Sequence, residues 1–336
     1  MSRPSGERVT PEPISSFLQS VEPLRGALRV HCYRMLGSSH DGEDVVQEAM
    51  LRAWRAKDTL ADPAMLRPWL YRIATNVCLD ELKRRPKRLL SEDYGPPMAD
   101  PAAPLPPPID DATWVEPMPG AWLDAAGPLD PLARYSLKES VALAFVAALQ
   151  CLSPPQRATL LLRDVVGLSA EETAEALAMT VAAANSALAR ARDAVEEKLG
   201  GRGAAAFAET VGPVDEALVA RYVRAFEDGD IDAIVATLHA DVRTTMPPIP
   251  TWVEGLAANA LFYRRMFDKL APGRIRMLPT TANGLPALGF YRPAGPDARR
   301  TLHAIEILTT REGKLWRLQH FMTKRMLPAF GLPTEV

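Results

Sequence analysis

Long apolar runs are missing from this 336-residue chain, and other scarcities narrow its reading further. No stretch of about 18 apolar residues occurs, so no membrane span is expected. The opening MSRPSGERVTPEP has no apolar h-region, so a secretory leader is not expected either. Cysteine is scarce: Cys32, Cys78 and Cys151 are odd in number and far apart, with neither a disulfide framework nor metal-ligand spacing. A reducing, cytoplasmic setting is expected, with no metal and no cofactor. Neither sign of charge dominates, with 39 Lys and Arg against 41 Asp and Glu and a formal charge of −2. That balance singles out no partner, because it averages segments of opposite sign. The length suggests two or three domains.

One scarcity is local. Residues 89–133 contain no Lys or Arg, yet eight Asp or Glu and eleven Pro. Such a segment cannot build a core, and by itself it should be extended and poorly ordered. It separates a net basic helical segment, 14–88, from a second, Ala/Leu-rich helical segment, 134–200. A Gly/Ala patch, GGRGAAAFAETVG, opens a fourth segment, 212–330, whose pattern shifts from helical period to strand alternation after about residue 240.

In DGEDVVQEAMLRAWRAK, Val45, Val46, Ala49, Met50, Ala53 and Trp54 recur at helical spacing and define a buried stripe. Asp44, Gln47, Glu48, Leu51, Arg52 and Arg55 lie largely outside it. The stretch RPWLYRIATNVCLDELKRRPKRLL predicts a second helix, with Pro68 suited to its first turn. Leu66, Leu70, Ile73, Ala74 and Val77 form its core stripe. Trp69, Arg72, Asn76 and Lys83 follow another face, with the residue types that stack on bases, bond their edges and hold phosphates. The helix runs into Lys83, Arg84, Arg85, Lys87 and Arg88, five cations with no acid among them. A basic helix end alone is commonly a partner for the helix dipole.

YRMLGSSHDGEDVVQEAMLRAWRA followed by LRPWLYRIATNVCLDELKRR resembles region 2 of extracytoplasmic-function sigma factors, small promoter-specificity subunits of bacterial RNA polymerase. The resemblance implies that Asp44, Gln47, Glu48 and Arg52 face the polymerase clamp. It implies that Arg72, Asn76 and Lys83 face the −10 element of the promoter. Lys83, Arg84, Arg85, Lys87 and Arg88 would then hold phosphates. In such a protein the acidic linker would suit the positively charged polymerase cleft. Its sub-motif DDATWVEPMPGAW is similar to the linker of sigma factors with a fused SnoaL-like domain. Trp114, Val115, Glu116, Pro117 and Trp122 are expected to dock on that domain or on polymerase; the sequence does not choose.

LSPPQRATLLLRDVVGLSAEETAEALAMTVAAANSALARARDAVEEKL reads as helix, short helix, turn and long helix. Ser153 with Pro154 starts the first, Ser169 with Glu172 forms a capping box, and Thr180 caps the last. Val181, Ala184, Leu188, Ala191, Val195 and Leu199 form the buried stripe of a recognition helix over about 181–198 in a helix-turn-helix. The segment resembles sigma region 4, the −35 reader. On its exposed face Asn185, Ser186 and Arg190 are candidate base or phosphate contacts, and Arg192 is a further phosphate candidate. The alanines between them suit close approach and reliance on DNA shape.

The fourth segment predicts helices and then strands near 274–282, 286–292, 301–310 and 314–324, the last two joined by the turn REGK. Helices followed by a curved antiparallel sheet make an α+β cone, and the order resembles SnoaL-like domains. His239, Trp252, Tyr263, His303, Glu306 and His320 are pocket or rim candidates. Simple alternation puts His303 and Glu306 on opposite faces of a strand, so no acid/base pair is expected between them. The expected fold is multidomain: two all-α modules and a C-terminal α+β cone. The expected function is a sigma factor, not an enzyme. It would bind core RNA polymerase and promoter DNA and be regulated by its own C-terminal domain, with a small molecule as a candidate ligand. A ligand-responsive helix-turn-helix factor acting without polymerase, or a SnoaL-type isomerase or hydrolase fused to a DNA-binding module, are the alternatives.

Overall fold

The computed structural model describes residues 14–110, 113–127, 142–200, 215–268, 272–295 and 298–336. The expected domain boundaries at 134 and 212, and Asp111 and Ala112 of the linker motif, lie outside these residues. Three helices open the chain: α1 (Ile14–Leu36), α2 (Ser39–Ala56) and α3 (Leu66–Leu82). The hydroxyl of Ser38 accepts from the Asp41 N–H and starts α2. The apolar stripes bury as their spacing requires, with Val45, Val46, Ala49 and Ala53 meeting Leu70, Ala74 and Val77.

The second helical segment holds α4 (Leu143–Cys151) and α5 (Pro154–Leu160), which continues through a wider turn to Val166. After Gly167 come α6 (Ala170–Ala176) and α7 (Val181–Lys198). The expected caps form: Ser153 with Gln156, Ser169 with Glu172, and Thr180 accepting from the Ala183 N–H. The two helical modules share one apolar core in which Phe145, Leu149 and Leu188 pack in the same cluster as Leu28, Met35 and Cys78. Arg157 is buried at this seam and donates to the Met35 carbonyl and to Gln150 Oε1.

In the C-terminal domain, α8 (Glu216–Asp228) and α9 (Ile231–Thr237) lead directly into β1 (Leu238–Thr245). Then come β2 (Trp252–Glu254), α10 (Leu256–Phe267), β3 (Arg276–Ala282), β4 (Leu285–Pro293), β5 (Arg300–Arg311) and β6 (Lys314–Phe321). The strand order is β2-β1-β6-β5-β4-β3. The sheet is mixed rather than wholly antiparallel, because β1 lies parallel to β6. The hairpin turns at Asn283-Gly284 and Glu312-Gly313 have positive φ at both central residues, the geometry that matches strand twist. A 3-10 helix, Lys324–Phe330, follows β6.

The linker is ordered wherever it is described, contrary to its composition. Its backbone follows the C-terminal domain: the Met98 N–H donates to the Trp252 carbonyl and the Ile109 N–H to the Pro248 carbonyl. A helix at Gly120–Ala126 is wedged between α1 and β3. A Cβ at Gly26 would collide with the Ala125 carbonyl, and one at Gly120 with the Thr281 side chain. These two glycines permit the close approach. The missing core of the linker is supplied by its neighbours.

Candidate functional site

The residues expected to face the −10 element lie on α3, and the structure brings them against the helix-turn-helix. Arg72 Nη1 is 2.8 Å from Glu175 Oε1 on α6. Asn76 Nδ2 is 3.5 Å from the Ala176 carbonyl, and Arg67 donates to the Val166 carbonyl. Lys83 pairs with Asp80, which also lies 3.5 Å from Arg52. On α2, Asp44 and Gln47 are exposed, Glu48 pairs with Arg52 at 2.7 Å, and Leu51 stands in solvent beside them.

The five-cation tail divides. Lys83, Arg84 and Lys87 are exposed. Arg88 is not an open phosphate holder here: it is 3 % exposed and donates to Asp41 and to the Trp114 carbonyl. Arg85 is half-buried between Asp41 and Glu81. The physical reason is Asp41, a buried carboxylate that requires cationic partners. Burial opposes its charge, but Arg88 and Arg85 outweigh burial and hold its pKa below the usual carboxylate value. Arg192 is likewise engaged, since it forks onto the buried Asp164 at 2.6 and 2.8 Å. Asn185, Ser186 and Arg190 are exposed on α7, with Arg190 donating to Ser186 Oγ.

The linker motif docks on both the first helical module and the C-terminal domain. Trp114, Val115, Glu116, Pro117 and Trp122 are all buried. Glu116 accepts from Ser38 Oγ at 2.5 Å and from Arg325 Nε at 2.8 Å, so one carboxylate ties α2's start to the segment after β6. The Tyr33 hydroxyl donates to the Glu116 carbonyl and accepts from Asn283 Nδ2. Asn283 Oδ1 accepts from the Met118 N–H. Tyr33, Asn283 and Arg325 were not singled out in the sequence. Only the Asn-Gly turn was a visible signal, and it predicts a hairpin rather than a joint.

In the C-terminal domain a cavity of about 1280 Å³ is lined by Tyr263, His303, Glu306 and His320 among others. His239 is not among its lining residues and lies near Glu312 at 3.7 Å. Trp252 is not either: its indole donates to the Gly95 carbonyl, under the linker. Strand alternation misplaced His303. The β4–β5 register skips it between Leu302 and Ala304, and this bulge turns His303 into the same cavity as Glu306. Glu306 accepts from the Tyr222 hydroxyl at 3.1 Å and lies 3.7 Å from His320 Nδ1 on β6. Burial, then the His320 charge, lowers the His303 pKa to about 3, so its imidazole is neutral near pH 7. Burial and Glu306 both raise the Tyr263 pKa.

This geometry defines a class: two helical modules, the second a helix-turn-helix, joined by a buried linker to an α+β cone. The comparisons agree segment by segment. The Sigma-70 region 2 family model matches residues 21–88, the Sigma-70 region 4 model 142–195 and the SnoaL-like domain model 219–318. The chain is 39% identical to the ECF RNA polymerase sigma factor SigG of Mycobacterium tuberculosis, over 99% of this chain and 88% of the relative. It is 30% identical to SigJ of the same species, over 88% of each. The crystal structure of Mycobacterium tuberculosis SigJ superposes with a TM-score of 0.60 at 26% identity, covering 96% of this chain and all of that one. The chain belongs to the extracytoplasmic-function RNA polymerase sigma factors. It directs core polymerase to promoters, and the SnoaL-like domain is a fused regulatory module. No helix among the described residues is long and apolar enough to cross a membrane.

Proposed function

We propose that this conformation is a closed state of the sigma factor, in which the helix-turn-helix covers the −10-facing side of α3. The observation that carries this reading is the contact of Arg72 and Asn76 with Glu175 and the Ala176 carbonyl. A promoter strand reaching those side chains must displace α6. The polymerase-facing residues Asp44, Gln47 and Glu48 lie on α2 rather than α3, and Arg52 adjoins α3 only through Asp80, so polymerase can bind first and draw the modules apart. Asn76 and Arg72 then read or hold the −10 strand. Lys83, Arg84 and Lys87 hold its phosphates, and Asn185, Ser186 and Arg190 approach the −35 element. The linker clamp at Glu116 sets how readily opening occurs. The cavity of the C-terminal domain takes a small molecule that tunes the clamp.

Hydrogen exchange of the full chain, free and in holoenzyme with core polymerase, tests the opening. Amides of Leu66–Leu82 and Ala170–Ala176 should lose protection on the facing sides when core binds. Unchanged protection in a holoenzyme that still transcribes would sink the closed-state reading.

A further inference from the structure

The cavity of the C-terminal domain is charged unevenly. Its inner wall is apolar and buried, with Phe226, Phe262 and Phe290 almost without solvent exposure. Four cations, Arg265, Arg274, Arg292 and Lys324, line the same cavity at residues that solvent reaches. Arg274 donates to the Gly295 carbonyl, whereas Arg265, Arg292 and Lys324 have no carboxylate partner among the described residues. A buried Arg265 nitrogen has no hydrogen-bond acceptor. Glu306 is the carboxylate among the lining residues, and it lies deep, 3 % exposed.

Cations that line an apolar chamber without carboxylate partners call for an anion where solvent reaches and hydrocarbon inside. The deep Glu306 opposes a second acid at the inner end. We infer that the cavity binds a monoanionic amphiphile, with a carboxylate head among Arg265, Arg274, Arg292 and Lys324 and an apolar body running inward toward Phe226 and Phe290. The inference rests on the reading that this cavity takes a small molecule, and it names the class. A chamber of about 1280 Å³ exceeds the usual range for compact ligands and suits a long or multi-ring body.

One wall of the chamber can report occupancy. In the 3-10 helix Lys324–Phe330, the residues Lys324, Leu327 and Pro328 line the cavity. Their neighbour Arg325 holds Glu116, and Met326 is buried beside Val115 and Met118 of the linker. A head group drawn to Lys324 therefore acts on the helix that carries the clamp.

The test is displacement of dansylundecanoic acid from the full-length protein, followed by dansyl fluorescence. Palmitate should displace it. Hexadecanol, hexadecyltrimethylammonium and hexadecanedioate should each be weaker by about tenfold or more, because each lacks the anion, reverses it or places a second acid beside Glu306. Arg292→Ala with Lys324→Ala should weaken palmitate by about tenfold and leave hexadecanol unchanged, the loss of two solvent-reached ion pairs. Glu306→Gln should improve hexadecanedioate relative to palmitate. Displacement by hexadecanol as strong as by palmitate would overturn the ligand class while keeping a ligand cavity. No binding of the probe or of palmitate by a folded protein would overturn the inference together with the ligand cavity. The closed-state reading is tested separately by hydrogen exchange.

Discussion

Arg72 of α3 is salt-bridged to Glu175 of the helix-turn-helix, 103 residues away, at 2.8 Å. The two side chains keep 47% and 71% of their exposure, so the pair contributes little and would be a weak latch in the proposed closed state.

Glu175→Ala should raise the affinity of the free protein for a single-stranded −10 oligonucleotide by up to about fivefold, the ceiling for an exposed ion pair. Fluorescence anisotropy reads this directly. If polymerase opens the closed state as proposed, the variant should gain nothing once core polymerase is bound.

Salt dependence separates the cations. Arg84→Ala with Lys87→Ala should lower the log–log salt slope of holoenzyme binding to promoters by about two, uniformly across sequences. Arg88→Ala should instead lower thermal stability, because it strips a cation from buried Asp41 and Glu116. An unchanged slope in the double variant would remove phosphate contact from this helix end.

Asp41→Asn should destabilise by less than the roughly 3–5 kcal/mol of a fully broken buried pair, because Arg88 loses its nearer carboxylate but keeps Glu116 at 3.9 Å. The native charge also has a pH signature. With the folded pKa depressed, the contribution of Asp41 is fully present above the ordinary carboxylate pKa and is lost as the pH falls through the folded value. Urea titrations down the acid limb should show a shallower loss in Asp41→Asn than in the wild type.

A different window belongs to the two lowered histidines, His303 and, in the helical core, His31. His31 is fully buried against Thr75, and burial, then Arg34, lowers its pKa from 6.5 to about 3. The unfolded chain binds a proton there first, so the contribution of His31 is constant above pH 6.5 and is lost as the pH drops from 6.5 toward 3, as is that of His303. His31→Asn should remove about one proton's share of that slope in denaturant titrations and leave the share of His303, whatever it does to stability at neutral pH.

Trp114→Ala with Trp122→Ala should loosen the particle in solution scattering, since truncating a buried aromatic costs about 3–5 kcal/mol. Transcription should change only in the presence of residues 205–336. An equal change in the truncated protein would assign the two Trp residues to packing on the first helical module, where Arg88 meets the Trp114 carbonyl and Arg29 lies over Trp122, rather than to the C-terminal domain.

Local chemistry was enough to read much of this molecule. The stripe Val45, Val46, Ala49, Ala53 and the caps Ser153, Ser169 and Thr180 carry their structure in spacings of three and four residues, so the helices and the helix-turn-helix are legible in the chain itself. The family motifs lie within the same short spans. What the sequence could not specify depends on residues far apart meeting in space. Composition marks 89–133 as unable to build a core of its own; Val30, Tyr33 and Ile305 supply the core in which its Val115 and Met118 sit. Alternation sent His303 away from Glu306 because a one-residue bulge against β4 leaves no local signature. Five cations in a row read alike in the sequence. Only the tertiary structure separates exposed Arg84 and Lys87 from Arg88, because a buried Asp41, 47 residues upstream, must draw a cation out of water.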